Sequence, residues 1–343
     1  MPPTKLSKST VLSGLSKVPP FPPIAARLLV LLADESVDLG EVADLVGSDP
    51  TFSARVLQCA NSIEFGPAHR VKDVRSALNF LGLDQTRQVT VTLATRAYSK
   101  GALGTAALRR CWEHTVATAI LADQVARACQ AFTDAAYTAG IIHDIGRLGL
   151  LVAYPREYES IIQDAAHRCL DLLDFESEQF GVHHAEAGRI LSERWGLPEE
   201  FRIIAGRHHD RSEGEELDLL RIVHIACRLA DALGYEITRP LVQEEIGDIL
   251  AELPESARER LQGGKDELRA LIEQRIRAYN GIEGENAVEP SRPDEDPVQE
   301  EAEPPRTEPP LVESKSRLSG LGPSIALALL IAVVAAFLLL RQW

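Results

Sequence analysis

Eight of the nine histidines lie between residues 105 and 235, and several stand beside one another or beside a carboxylate. His143-Asp144 and His208-His209 are the clearest pairs, with His114, His184 and Asp231 spread around them. Imidazole with carboxylate, and no thiolate, suits zinc, iron, manganese or nickel, an octahedral divalent ion being the preferred choice. The local text predicts a helix from Thr133 to about Ile145, closed by Gly146, with His143-Asp144 at its end. A carboxylate there faces the negative end of the macrodipole and needs a cation or donor to compensate it. His208-His209 end a helix opened by Pro198 and Glu199-Glu200, while Asp231 lies in the apolar turn IACRLADALG, where an unpaired charge is costly to bury. Seven residues thus stand out as candidate ligands: His114, His143, Asp144, His184, His208, His209 and Asp231. Taken singly, a histidine is more often a hydrogen-bonded core or surface residue than a ligand. His69, His167 and His224 read in that way, and His183 is ambiguous through its adjacency to His184.

For these side chains to meet, four or more helices must converge. Residues 14–100 read as short amphipathic helices. Asp49 can cap a helix that Pro50 begins, with Phe52, Val56 and Leu57 at helical spacing and an end near Asn61-Ser62. The next, VKDVRSALNFLGL, places Val74, Ala77, Leu78 and Leu81 on one face and stops at Gly82. QVTVTLAT, Gln88–Thr95, is ambiguous between helix and strand because of its β-branched residues. Residues 105–235 are again helical, and 241–280 carry polar-faced helices that cap the domain.

The chain has 343 residues, 45% hydrophobic, with ample material for a core. A net charge of −15 disfavours binding to polyanions. Residues 283–313 hold 11 Asp/Glu against two Arg, together with seven prolines, the composition of a solvated, extended linker. Five widely spaced cysteines, none in a CxxC pair, indicate a reducing compartment rather than a disulfide framework or zinc-cysteinate site. The N-terminus has no apolar signal-peptide core. Ile325 to Leu340 form an unbroken apolar run flanked by Lys315 and Arg317 before it and Trp343 after it. From Leu321 that is roughly 30 Å of helix, about one hydrocarbon core. The expectation is a tail anchor in the inner membrane, single-pass, with the body in the cytoplasm.

The motifs Trp112-Glu113-His114, Gly140-Ile-Ile-His143-Asp144-Ile-Gly-Arg147, Phe180-Gly-Val-His-His184-Ala-Glu-Ala-Gly188, Trp195-Gly-Leu-Pro198, Arg207-His208-His209 and Leu229-Ala-Asp231 resemble the HD superfamily in its HDOD branch. Pro19-Pro20-Phe21-Pro22, Ser48-Asp49-Pro50, Ala60-Asn61-Ser62 and Ala77-Leu78-Asn79-Phe80-Leu81-Gly82 agree with it. The resemblance covers roughly residues 14–240. It implies an all-α, multi-helical bundle and a regulatory output role in bacterial signalling. The expected organisation is a disordered N-terminus (1–13), an HDOD domain (14–240, divided into 14–104 and 105–240), capping helices (241–280), an acidic Pro-rich linker (281–320) and a transmembrane helix (321–341).

By the same resemblance, His114, His143, Asp144 and Asp231 match the core ligands of metal-dependent HD phosphohydrolases. His184, His208 and His209 match the added ligands of the bimetallic HD-GYP enzymes. One or two divalent ions (Fe, Mn, Zn or Ni) follow, with Asp144 bridging and Arg147 neutralising a phosphate oxygen as the catalytic pair. The GYP tripeptide is missing, Arg110 stands where a third-metal carboxylate would be, and Arg147 replaces a lysine. The favoured function is a membrane-tethered module that binds a signalling protein or nucleotide. The alternative is a phosphodiesterase acting on cyclic dinucleotides or nucleotides. Nucleic-acid binding ranks third, because the basic residues from Arg55 to Lys100 have no aromatic stacking platform.

Overall fold

Ser7 accepts a hydrogen bond from the Thr10 amide, and Val11 and Leu15 follow at i, i+4, which starts a helix close to the beginning of the chain. This computed structural model describes residues 5–284, except 20–23, 25–26, 29–30, 32–36, 63–69, 100–105, 134, 211–216, 240 and 262–263. The described helices are α1 (Lys8–Leu15), α2 (Leu39–Gly47), α3 (Pro50–Ala60), α4 (Val74–Ser99), α5 (Ala106–Cys129), α6 (Ala136–Ile142), α7 (Ile145–Ala153), α8 (Pro155–Arg168), α9 (Leu172–Phe180), α10 (His184–Arg194), α11 (Glu199–Arg207), α12 (Leu219–Ala230), α13 (Ile246–Leu250), α14 (Glu255–Leu261) and α15 (Lys265–Gly284). A π-helical turn, Asp231–Tyr235, extends α12. No strand occurs among the described residues.

Helix α5 runs through the body with α6, α12, α14 and α15 packed against it. Its residues from Trp112 to Ala128 enter the larger hydrophobic core, whereas Leu108 and Cys111 enter a second core built by α1, α7, α8, α9 and α10. Ile145 belongs to the first core and Leu148 to the second, so the α6–α7 junction lies at the seam between them. Ile249, Ala257, Ile272 and Tyr279 join the larger core, which makes the helices beyond residue 241 part of the packed interior.

Several expectations change. The N-terminal segment is not disordered over 8–13. Helix α1 docks through Leu6 N–H to the Gln179 carbonyl (2.8 Å), Lys8 to Glu186 (2.8 Å) and the Tyr154 hydroxyl to the Thr10 carbonyl (2.6 Å). At the other end, α15 continues to Gly284, into the span read as linker. Asp49 caps Phe52 N–H at 2.9 Å with Pro50 in the first turn, as its sequence predicts. Gly82 does break the helix, at φ +72°, but helical structure resumes at once through the ambiguous Gln88–Thr95 stretch. Val89 to Ala94 are all buried, so no polar face marked the period. Cys169 is exposed in the left-handed region after α8 rather than placed in apolar helical text.

Among the described residues no helix is long and apolar enough to cross a membrane. The chain divides into Met1–Glu289 and Pro290–Trp343, and the Ile325–Leu340 run lies in the second unit, outside the described residues, as does His69.

Gly146 does not close a helix. It sits within the first turn of α7, where a Cβ would collide with the backbone of His184 and Gly188 on α10. Backbone cannot rotate out of the way as a side-chain tip can. Gly146→Ala is therefore expected to destabilise by at least about 1–3 kcal/mol, and an unchanged thermal midpoint would contradict this packing.

Candidate metal centre

His143 and Asp144 form the two-residue link between α6 and α7. Because α7 begins directly, Asp144 does not sit only at a helix C-terminus. It is also the N-cap of α7, and its carbonyl accepts from Arg147 and Leu148 N–H at 3.0 and 3.3 Å. The positive end of α7 thus offsets the negative end of α6. Its side chain makes no capping bond. His184 opens α10 behind His183, whose ring accepts from Glu186 N–H. His208 caps the C-terminus of α11, with its carbonyl accepting from the ring of His224 at 2.9 Å.

Four histidines share one arrangement. His143 Nδ1 donates to the Gly140 carbonyl (2.6 Å), His208 Nδ1 to Ile204 (3.2 Å), His114 Nδ1 to Tyr235 (3.1 Å) and His184 Nδ1 to the Glu176 carboxylate (2.7 Å). Each oxygen can only accept, so Nδ1 carries a proton, and in the neutral ring Nε2 keeps its lone pair. The Nε2 atoms then face inward. His143 and His114 approach at 3.4 Å, and His184 and His209 at 2.9 Å. Asp144 Oδ1 lies 3.5 Å from His184 Nε2 and 3.8 Å from His208 Nε2.

Asp144 Oδ1 and His208 Nε2 are buried and have no hydrogen-bond partner. Leaving such atoms unsatisfied costs about 1–3 kcal/mol each. Converging lone pairs beside an orphaned carboxylate oxygen fit a divalent cation.

Asp231 stands differently. Its Oδ1 approaches the outer nitrogen of His114, Nδ1, at 3.4 Å. The inner nitrogen instead faces Cys227 Sγ at 3.5 Å. Arg147 is buried, with Nε donating to Asp144 Oδ2 (2.7 Å), Nη1 facing Tyr158 (3.4 Å) and Glu176 (3.3 Å), and Nη2 donating to His184 Nε2 (2.9 Å). Its donors are directed to protein groups, not left open for phosphate. Arg147 thus stands in the site as an internal brace.

Glu176, Tyr158 and Cys227 were missed by sequence reasoning. Glu176 shares the buried face of α9 with Phe175, Gln179 and Phe180, where it is the lone carboxylate. Cys227 precedes Asp231 by one helical turn. A cleft of about 160 Å³ reaches the cluster, lined by His114, His184, His209, Cys227, Asp231 and Arg239 among others.

Burial pushes His143 down to about 4 and holds His208 and His209 well below the ordinary imidazole value. Burial opposes the charge on Asp144, but Arg147, His184 and His143 overcome it and hold its carboxyl below the usual range. From pH ~6.5 down to ~4 the unfolded chain takes up imidazole protons that the folded chain refuses. Through His143, His208 and His209 the metal-free protein is therefore expected to lose stability as pH falls through this window, by up to about 1.4 kcal/mol per unit for each of the three. His114, whose burial is outweighed by Cys227 and Asp231, is held well above the ordinary value and works in the opposite sense. The Asp144 contribution goes at lower pH still. Thermal midpoints measured from pH 7 to 4 check this, and a flat profile would contradict it.

Residues 18–211 match the family model of the HDOD domain. An HDOD domain protein from Geobacter sulfurreducens is 24% identical with a TM-score of 0.65, covering 81% of this chain and 96% of its own. A candidate metal-dependent phosphohydrolase from Shewanella amazonensis SB2B gives 18% and 0.52, covering 79% of this chain and 97% of that one. A candidate signal transduction protein from Marinobacter aquaeolei VT8 gives 21% and 0.64, covering 80% of this chain and 65% of that one. A curated protein from Treponema pallidum (strain Nichols) is 23% identical over 215 residues, 62% of this chain and 41% of the relative, so the chain spans less than half of that relative's length. At these identities the structural likeness carries the fold, and function rests on the site.

Proposed function

Because this chain belongs to the HDOD domain family, whose model matches more than half of it, we propose that it is a metal-holding signalling output module acting through protein or nucleotide binding. The observation that carries this reading is the inward-facing Nε2 atoms of His114, His143 and His208 beside the unpartnered Asp144 Oδ1. When bound, a divalent ion supplies Lewis acidity and acidifies a coordinated water. Glu176 fixes the tautomer of His184, and Arg147 braces both Glu176 and Asp144. Metal analysis of the purified full-length chain tests the reading: at least one equivalent of divalent metal per chain supports it, and failure to bind any in titration would overturn it.

Metal-dependent phosphodiester hydrolysis is the second reading. It is favoured by Asp144 lying between two groups of imidazoles, the arrangement of a shared carboxylate. Two observations weigh against it. The cleft that reaches Arg147, about 160 Å³, is smaller than the roughly 300–1,000 Å³ of typical ligand pockets, although His209 also borders a cavity of about 660 Å³. Arg147 is also committed inside the protein. Turnover of cyclic dinucleotides or nucleotides by the metal-loaded chain would reverse this ranking.

We further propose a membrane tether through Leu321–Leu340, with the body in the cytoplasm. The apolar run, its basic N-terminal flank and Trp343 support it. The full-length chain is expected to fractionate with membranes, and a chain stopped at Ser316 to become soluble. Full-length protein in the soluble fraction without detergent would refute the tether.

A further inference from the structure

We infer that Cys227 is a direct ligand of the metal, and that Asp231 acts behind His114 as its orienting carboxylate. This deepens the reading above and rests on it. Ligand atoms of Cys227, His114 and His143 all lie within 4.8 Å of one another, and all three residues are buried. Among the described residues, Asp231 joins no such group.

The spacing is that of a shared ion. With zinc bonds of about 2.0–2.1 Å to nitrogen and about 2.3 Å to sulfur, tetrahedral ligands stand about 3.4 Å apart for nitrogen pairs and about 3.5 Å apart for nitrogen and sulfur. The observed separations are 3.4 Å between the two Nε2 atoms and 3.5 Å between His114 Nε2 and Cys227 Sγ. Hydrogen bonding alone does not account for the cluster. With both rings neutral, the Nδ1 protons are committed to the carbonyls of Tyr235 and Gly140, so the thiol proton is the one available among three acceptor atoms. One proton leaves the two imidazole lone pairs opposed. A cation resolves all three, with the thiol proton released to solvent as the thiolate binds.

Asp231 cannot take the same seat while its carboxylate faces His114 Nδ1. From there it raises the basicity of the imidazole, while the Tyr235 carbonyl takes the Nδ1 proton, and the two together fill the usual outer role beside a metal-bound histidine. Position 227 therefore makes this half of the site softer than a histidine–aspartate set and biases it toward zinc or cobalt over manganese.

Cobalt(II) substitution of the full-length chain reads the ligand directly. The wild-type protein is expected to show a near-ultraviolet thiolate-to-cobalt charge-transfer band. Cys227→Ser should abolish the band, and Asp231→Asn should keep it while weakening cobalt binding by about 10–100-fold. X-ray absorption of the zinc-loaded wild type, which needs no variant, should contain a scatterer at about 2.3 Å. Bound metal with only nitrogen and oxygen neighbours and no thiolate band would overturn the assignment and leave the metal-holding module standing. Absence of any bound metal would overturn both.

Discussion

Asp144→Ala is expected to leave the protein without its metal and about 3–5 kcal/mol less stable. The two losses have separate causes. Oδ1 faces His184 and His208 and has no other partner, so its removal takes away the oxygen that lies between the imidazole groups. Oδ2 accepts from Arg147 Nε at 2.7 Å, so the same change leaves a buried guanidinium short of its nearest counter-charge. Asp144→Asn separates them, because it keeps the shape while removing the charge. Metal should still be lost, and part of the stability should return. Metal content per chain and the thermal midpoint check both parts. A metal-replete Asp144→Ala protein would show that the carboxylate is not a ligand.

Glu176→Ala carries the second large effect, although Glu176 touches no proposed metal. One fully buried carboxylate receives four donors: the Tyr158 hydroxyl and Arg147 at Oε1, and the amide and Nδ1 of His184 at Oε2. Truncation strands all of them, with an expected loss of about 3–5 kcal/mol. At about 2–4 °C per kcal/mol this lowers the midpoint by about 10 °C. Metal affinity should fall by about 10–100-fold as His184 loses its fixed tautomer. Burial opposes the Glu176 charge, but His184 and Arg147 hold it below the ordinary carboxylate range, so its contribution is full above pH ~4 and lost on acidification. Wild-type-like stability and metal affinity in Glu176→Ala would show that the network is incidental.

Local chemistry made much of this legible. The Asp49-Pro50 start, the break at Gly82 and the helix ending in His208 follow from capping rules that act over four residues. The paired histidines announced themselves by adjacency. What stayed hidden depends on contacts far apart in sequence. Gly146 looked like a helix stop because its reason for being glycine lies on α10. Cys227 and Tyr158 sit in runs where apolar burial is an adequate account of them, and only the fold brings Cys227 to His114 and Tyr158 to Glu176. Asp231 was read as a ligand converging with His114, but which imidazole nitrogen it faces is a matter of ring orientation that no spacing encodes.

The docking of α1 bears on how the chain is made. Arg194 donates to the Leu15 carbonyl across 179 residues, and Lys8 pairs with Glu186 across 178. During synthesis at about 5–20 residues per second, helix α1 leaves the ribosome about 10–35 s before the last of its partner surface exists. Val11 and Leu15, both buried in the finished protein, stay incompletely covered for that interval. Closure of the second core is thus a late event in vectorial folding, and nascent chains halted before Arg194 should offer α1 to chaperones or proteases, whereas longer ones should hide it.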